Sequence, residues 1–440
     1  MVVSRGRNPS AAEILSQVFQ AKGLRDRVLT TLGLLLLVRL GIYVPVPGID
    51  RVAFQGFVQQ GGQLLTFLDI FTGGGLSTLG VFALGILPFI NASIILQLLS
   101  NALPQLEDLQ KNEGEAGRRR IAQITRYVAL GWAILQSVVF SLVLRQYKLA
   151  EISDWQFVLQ TSLALVAGSM VVMWISEVIT ERGIGGQGGS LVIFVNIVAT
   201  LPRALGSTIE LAQSGDRATV GGIVILVLVF LVTIVGIIFL QEGVRHIPIV
   251  SAKRMAGGST MLNQRQSYLP LKLNPGGVMP IIFASAVVLL PLTIANVTKN
   301  ATVVQLAGYL SPNSSIPWLY ALLYFLLICG FSFFYATLAV NPVDVATNLK
   351  RSGVAIPGVR PGSATANYIA AVQNRLTLLG GLFLAAVAII PSAVEGATQV
   401  RTFQGLGATS LLILVGVAID TAKQVQTYVI SQRYEGMMRR

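Results

Sequence analysis

Leu64 to Gln97 reads LLTFLDIFTGGGLSTLGVFALGILPFINASIILQ. Leu64 to Phe71 is apolar but only about two turns long, whereas a membrane span needs roughly 20 apolar residues. It therefore reads as a stopper that enters a membrane without crossing it, or sits in something already open. Gly73-Gly74-Gly75 follows, three residues without Cβ atoms, free to take either sign of φ, and reads as a hinge. Leu79 to Leu99 is long enough to cross. Pro88 inside it predicts a kink, because it removes a backbone N–H and clashes with the preceding turn. Ile86 and Ile90 lie four apart and share a face. Asn91, Ser93 and Gln97 are polar groups at membrane depth, which need partners or a water-lined cavity. A stopper, a hinge and a broken, polar-spotted span together predict a gated pathway.

The rest of the chain agrees with a polytopic membrane protein. Of 440 residues, 53% are hydrophobic and 12% charged, with a mean hydropathy of +0.70; a soluble domain carries about 25% charge. One cysteine, Cys329, and one histidine, His246, exclude an internal disulfide and a His/Cys metal cluster. No P-loop pattern occurs, so the chain does not burn nucleotide in that way. No cofactor is expected. The N-terminus lacks a basic-then-apolar signal ending in small residues, so the first long apolar run reads as a span.

Residues 1–27 read as a cytoplasmic segment with a short amphipathic helix, from Ile14, Leu15, Val18 and Phe19 at helical spacing. Ten spans follow, at about 28–44, 79–99, 121–144, 157–180, 190–205, 220–240, 277–297, 318–340, 376–390 and 408–422. Pro280 and Pro291 fall in the seventh. Residues 28–217 make one half with five spans, 218–430 the other, and 431–440 a cytoplasmic tail. Five is odd, so the halves are inverted, which places a pathway at their interface. Of the 32 Lys and Arg, 24 fall on the side of the termini, seven on the other, and Arg39 lies within the first span. The positive-inside rule then puts both termini in the cytoplasm, and the plasma (inner) membrane is the expected location. Two polar connections, 246–276 and 341–374, are too long for turns. Their positive charge suits an acidic protein face or ribosomal RNA phosphates.

Three segments carry a specific resemblance. They are Leu84 to Gln97, Met173 to Gly185 (MWISEVITERGIG), and Asn341-Pro342 onward to Gly358-Val359-Arg360-Pro361-Gly362. With Pro47-Gly48-Ile49-Asp50 after the first span, they resemble the SecY family, the channel subunits of the bacterial protein-conducting translocon. The likeness covers essentially the whole chain. It implies an all-α, hourglass-shaped membrane channel with ten helices in two inverted halves around a central pore. It implies an apolar ring of Ile86, Ile90, Ile193, Ile282 and Ile413. It implies a plug at 64–72, with Leu64, Leu65, Phe67, Leu68, Asp69, Ile70 and Phe71, and a lateral gate between spans 2/3 and 7/8. Arg360 matches the family's arginine in the loop that meets the cytosolic motor, and Lys253, Arg254, Arg265, Lys350 and Arg351 join it as motor or ribosome contacts. Implied partners are SecE-like and SecG-like small membrane subunits, a SecA-like motor ATPase, a translating ribosome, secretory preproteins with their signal sequences, and membrane lipid. One departure is the run Gly185-Gly186-Gln187-Gly188-Gly189-Ser190, one residue longer than the family's usual segment. It sets Gly189 where an apolar ring member often stands.

The residues support the resemblance independently. A conduit for every kind of side chain cannot bind strongly anywhere, and β-branched isoleucines make a deformable gasket that resists wetting. Lipid contact or helix packing is the alternative for any single isoleucine. Arg39 reads as a snorkelling side chain, with a functional charge as the alternative, Asp69 as an exposed charge in a wet funnel, and Glu177, beside Glu181-Arg182, as half of a structural ion pair rather than a proton carrier. Asn91 and Gln136 are either packing glue or a weak latch, and with Leu290 they are expected near the lateral gate. Polar contacts between membrane helices contribute only about 0.6–2 kcal/mol.

The function expected is a passive protein-conducting channel that also releases transmembrane segments sideways into lipid. The alternative is an inverted-repeat secondary transporter. Such proteins commonly keep an ionisable group at the midplane, and no span here has one near its centre. An intramembrane enzyme lacks both a metal set and a Ser–His constellation, so no enzymatic activity is expected.

Overall fold

The computed structural model describes residues 22–49, 54, 69, 72–111, 114–146, 154–184, 186, 188–213, 217–251, 267–285, 287–288, 305, 308–309, 317–398 and 408–438. Eleven named helices and three strands lie among them. They are α1 (Lys22–Gly41), α2 (Leu87–Ala102), α3 (Pro104–Lys111), α4 (Gly114–Gln146), α5 (Asp154–Arg182), α6 (Gly188–Gln213), α7 (Arg217–Glu242), β1 (Val244–Ser251), β2 (Ser267–Lys272), α8 (Pro317–Ala339), α9 (Pro342–Arg351), β3 (Val354–Ala355), α10 (Ser363–Thr398) and α11 (Ala408–Met438). Residues 279–285 and 287–288 are also helical, at the expected seventh span. Among the described residues, five helices are long and apolar enough to cross a membrane, within 114–145, 155–182, 220–242, 318–351 and 363–391; Leu87–Ser100 and Gly188–Pro202 are shorter apolar helices. Their apolar faces stay open: Leu228, Leu231, Val235 and Phe239 of α7, spaced at one helical face, are all more than half exposed, as lipid-facing side chains are.

The chain divides into two compact units. One holds Met1–Glu210, Thr402–Leu406 and Val417–Arg440; the other holds Leu211–Arg401 and Gly407–Gly416.

In the first unit the second span starts later than its hydropathy predicts. Residues 72–86 are turns, and helix begins only at Leu87. Pro88 is therefore not an interior kink. It sits in the first turn, where its missing N–H would have had no partner anyway. Pro280 likewise lies at the second helical position of its segment, after the turns at 275–278. Residues 72–86 spend backbone groups on other partners, Leu79 and Val81 bonding to Val46 and Val44, and run close against other backbone. A Cβ on Gly80 would run into the Ile42 carbonyl oxygen, and one on Gly168 of α5 into that of Val81. We expect Gly168→Ala to force these backbones apart, at the cost of about 1–3 kcal/mol typical of overpacking. Thermal unfolding in detergent should show a lowered transition. Gly33→Ala on α1, where a Cβ meets nothing within 4 Å, should show none.

The second unit holds the two polar connections, and these are structured where described. The 246–276 connection forms the antiparallel pair β1–β2, from Val244↔Lys272 to Ile249↔Ser267. The 341–374 connection supplies α9 and β3, which pairs with β1 through Val250↔Ala355 and Ser251↔Val354. The helical fold thus carries a small sheet of order β2-β1-β3. Ile247, Leu271, Ile356 and Ile369 form a core beneath it, packed by Val345 and Leu349 of α9. Asn341 caps α9 by accepting a hydrogen bond from the Val343 N–H at 3.1 Å.

Candidate channel constriction and cytoplasmic docking face

The turned segment before Ile86 is pinned from three directions within the first unit. From the exit of α1, the Val46 N–H donates to the Leu79 carbonyl (3.0 Å), and the Val81 N–H donates to that of Val44 (2.8 Å). Pro45 and Gly80 form an isolated bridge there. From α5, the Ser169 hydroxyl donates to the Gly85 carbonyl at 3.0 Å. From the last turn of α1, Arg39 Nη1 donates to the Gly73 carbonyl at 2.7 Å. That last bond corrects the snorkelling reading of Arg39: its guanidinium turns inward to a backbone oxygen.

Within the segment the backbone closes on itself. Gly73 and Gly74 take φ of +69° and +87°, which an L side chain resists. The Gly74 N–H donates to the Asp69 carbonyl (2.8 Å) and the Thr78 N–H to that of Gly74 (3.1 Å). Asp69 is half-buried, and its Oδ1 accepts from the Ser77 N–H at 2.6 Å. It is a turn-forming carboxylate, not an exposed charge in a funnel. Leu79 is 1% exposed and holds φ +49°, a strain of about 1–3 kcal/mol that this web of bonds sustains. The other expected plug residues, Leu64, Leu65, Phe67, Leu68, Ile70 and Phe71, lie outside the described residues.

Ile86 ends the segment as the N-terminal boundary of α2, and the Ile90 N–H donates to its carbonyl at 3.1 Å. Ile86 is 1% exposed and Ile90 half-buried. Across from Ile86 stands Gly189, in the first turn of α6; a Cβ there would lie 3.3 Å from Ile86 Cδ1. Ile193 follows one turn later and is buried. In the second unit Ile282 is half-buried and Ile413 buried.

Asn91 and Gln136 both lie on described helices, α2 and α4, yet no hydrogen bond joins them: Gln136 Oε1 is buried without a partner. Leu290 lies outside the described residues. Glu177 pairs with Arg126 of α4 at 2.7 Å, not with its neighbour Arg182, and so ties α5 to α4. In the second unit, Tyr324 of α8 shares hydroxyl hydrogen bonds with Ser285 (3.1 Å) and Thr409 (3.3 Å). Gln373 Nε2 of α10 donates to the Ala336 and Val340 carbonyls at 2.5 and 3.2 Å, closing the open C-terminal end of α8. Ser169 and the inward bond of Arg39 were missed by sequence reasoning. A serine or arginine in an apolar helix was the signal available.

The basic residues expected to meet a motor or ribosome divide. Lys350 and Arg351 end α9 and are exposed, and Arg360 is exposed in the turn at 357–362. That turn is held by backbone groups: Val359 N–H to the Ile356 carbonyl (3.1 Å), and the Thr365 hydroxyl to the Arg360 carbonyl (2.9 Å). Gly358 and Gly362 supply φ of +80° and +107°. Lys253, Arg254 and Arg265 lie outside the described residues. Among the described residues, no three His, Cys, Asp or Glu side chains gather as a metal site.

The family model described as SecY matches residues 80–422. The chain belongs to the SecY family. It is 67% identical over 443 residues to the protein translocase subunit SecY of Synechococcus elongatus, covering 100% of both chains. Among solved structures it resembles one described as "The plug domain of the SecY protein stablizes the closed state of the translocation channel and maintains a membrane seal" (TM-score 0.64, 16% identity, 91% of both chains). It also resembles Sec61 in the canine ribosome-channel complex from the endoplasmic reticulum (TM-score 0.61, 17% identity, 91% of both chains). SecY chains are protein translocase subunits, channel proteins in a membrane, and their fold is the one described above. Neither comparison supports the secondary-transporter alternative.

Proposed function

We propose that this SecY-family chain is the passive pore of a translocon, through which unfolded secretory preproteins cross the membrane and transmembrane segments leave sideways into lipid. The observation that carries the reading is 67% identity, over the full length of both chains, to a translocase subunit. Beside it stands a turned segment, Thr72 to Ile86, held by bonds from two helices and leading into an isoleucine. Ile86, Ile90, Ile193, Ile282 and Ile413 act as the gasket, with residues 64–72 as plug. Asn91, Gln136 and Leu290 line the lateral exit. Both termini face the cytoplasm, supported by 24 of 32 basic residues on their side. The exposed Lys350, Arg351 and Arg360 offer positive charge to a SecA-like motor or a ribosome, and SecE-like and SecG-like subunits complete the complex. Energy comes from the motor or from translation, not from the chain.

Vesicles carrying the chain, its small subunits and the motor test this. With ATP, a secretory preprotein becomes protected from added protease; without motor it stays accessible. Uptake of a small solute driven by an ion gradient, with no preprotein movement, would sink the reading in favour of a transporter.

A further inference from the structure

Arg39, Gly73 and Asn196 meet inside the first unit, far apart in sequence. The Arg39 guanidinium donates to the Gly73 carbonyl at 2.7 Å. Gly73 takes a left-handed φ of +69° between two polar groups: a Cβ there would lie 2.5 Å from Arg39 Nη1 and 2.7 Å from Asn196 Oδ1. Asn196 is 2% exposed on α6. Among the described residues no carboxylate lies within ion-pairing distance of Arg39, so the charge is held by a backbone oxygen. Hydrogen bonds from an ionised donor are shorter and about twice as strong as neutral ones. A guanidinium stripped of its acceptor at membrane depth is costly. Any motion of the turned segment away from α1 must break this bond and find the guanidinium another acceptor.

We propose that Arg39 is a positioning residue for the resting seal: bonded to the Gly73 carbonyl beside Asn196, it fixes the turned segment Thr72 to Ile86, and the strength of its carbonyl bond sets how readily Ile86 leaves its closed place. This rests on the reading of Ile86 as part of the gasket. An arginine merely reaching for the membrane surface would be replaceable by any long side chain without effect on the seal. An arginine serving only to stabilise the fold would lower thermal stability without changing conductance in channels that do assemble.

The test is resting ion conductance of the reconstituted complex in planar bilayers, without preprotein, alongside thermal unfolding of each variant. Arg39→Met is expected to raise resting conductance about tenfold, equivalent to about 1.4 kcal/mol. Arg39→Lys, which keeps a charged donor, should restore most of the seal. Gly73→Ala, whose methyl displaces the guanidinium, should leak like Arg39→Met, and the double variant should leak no more than the leakier single one, because both break one contact. Wild-type conductance in Arg39→Met, or single effects that multiply in the double variant, overturns the proposal. If Arg39→Met does not assemble, a tight Gly73→Ala channel overturns it equally. Channels with Ile86, Ile90 and Ile282 changed to serine run in parallel. If those leak and the Arg39 and Gly73 variants stay tight, the clamp fails and the gasket reading stands. If those stay tight, the gasket reading fails and the clamp falls with it.

Discussion

Replacing Ile86, Ile90 and Ile282 together with serine is expected to raise the resting ion conductance of the channel at least about tenfold in planar bilayers. A narrow apolar constriction blocks ions by refusing water, and hydroxyl groups remove that refusal. Tenfold needs only about 1.4 kcal/mol off the barrier, whereas burying one isoleucine side chain stabilises by about 1.5–3 kcal/mol. Three substitutions therefore have ample leverage. Ile86 is buried against the Gly189 position of α6, so the variant also loses packing, and its thermal stability has to be followed beside the current. Conductance that stays at the wild-type level in stably assembled channels would mean the seal is made by other residues. Gly189→Ile offers the opposite sign: the added side chain presses on Ile86 Cδ1, and a modest tightening or a local distortion follows, never a leakier pore with unchanged packing.

Arg360→Glu is expected to leave the protein in the membrane at normal levels and to slow motor-driven export at least about tenfold. Arg360 is exposed, and the turn that presents it is held by the Ile356 and Arg360 carbonyls and by two left-handed glycines, not by the guanidinium. Reversing the charge should therefore spare the fold. Against an acidic docking face it converts attraction into like-charge juxtaposition, which costs several kcal/mol. The turn belongs to the connection whose β3 pairs with β1, so a motor gripping it pulls on a sheet that shares a core with α10 rather than on a loose loop. Preprotein import at the wild-type rate into vesicles supplied with motor and ATP would remove Arg360 from the contact.

Much of this was legible because spans announce themselves by composition. The α4, α5, α7, α8 and α10 segments lie where the long apolar windows are. What was not legible depended on partners distant in sequence. Leu79 to Ile86 is as apolar as the helix after it, and only its backbone bonds to Val44 and Val46, distant in sequence, mark it as a turned segment. Pro88 carries the same letter whether it kinks a helix or starts one. Arg39 near a helix end suits either the membrane surface or a carbonyl 34 residues on. The sheet was hidden by Pro248 and Pro270, which argue against strands. Pro248 is tolerated because β3 reaches only Val250 and Ser251, leaving β1 an edge at that position, and Pro270 because β2 is itself an edge strand. The ring and motor residues came from resemblance, since no isoleucine or arginine is distinctive alone.

The seam between the exit of α1 and the turned segment also imposes an order in time. Ile42 and Thr78 bond across 36 residues of chain, and the bonds from Val46 to Leu79 and from Val81 to Val44 span a similar distance. A chain made from its N-terminus at about 5–20 residues per second leaves those groups of the first helix waiting for seconds after that helix is complete. Until Leu79 and Val81 emerge, the helix end is an unfinished joint that must stay near water. The first helix therefore cannot settle to its final depth on its own, and the earliest stable piece of this protein to form in a membrane is the helix together with the hinge that closes on it.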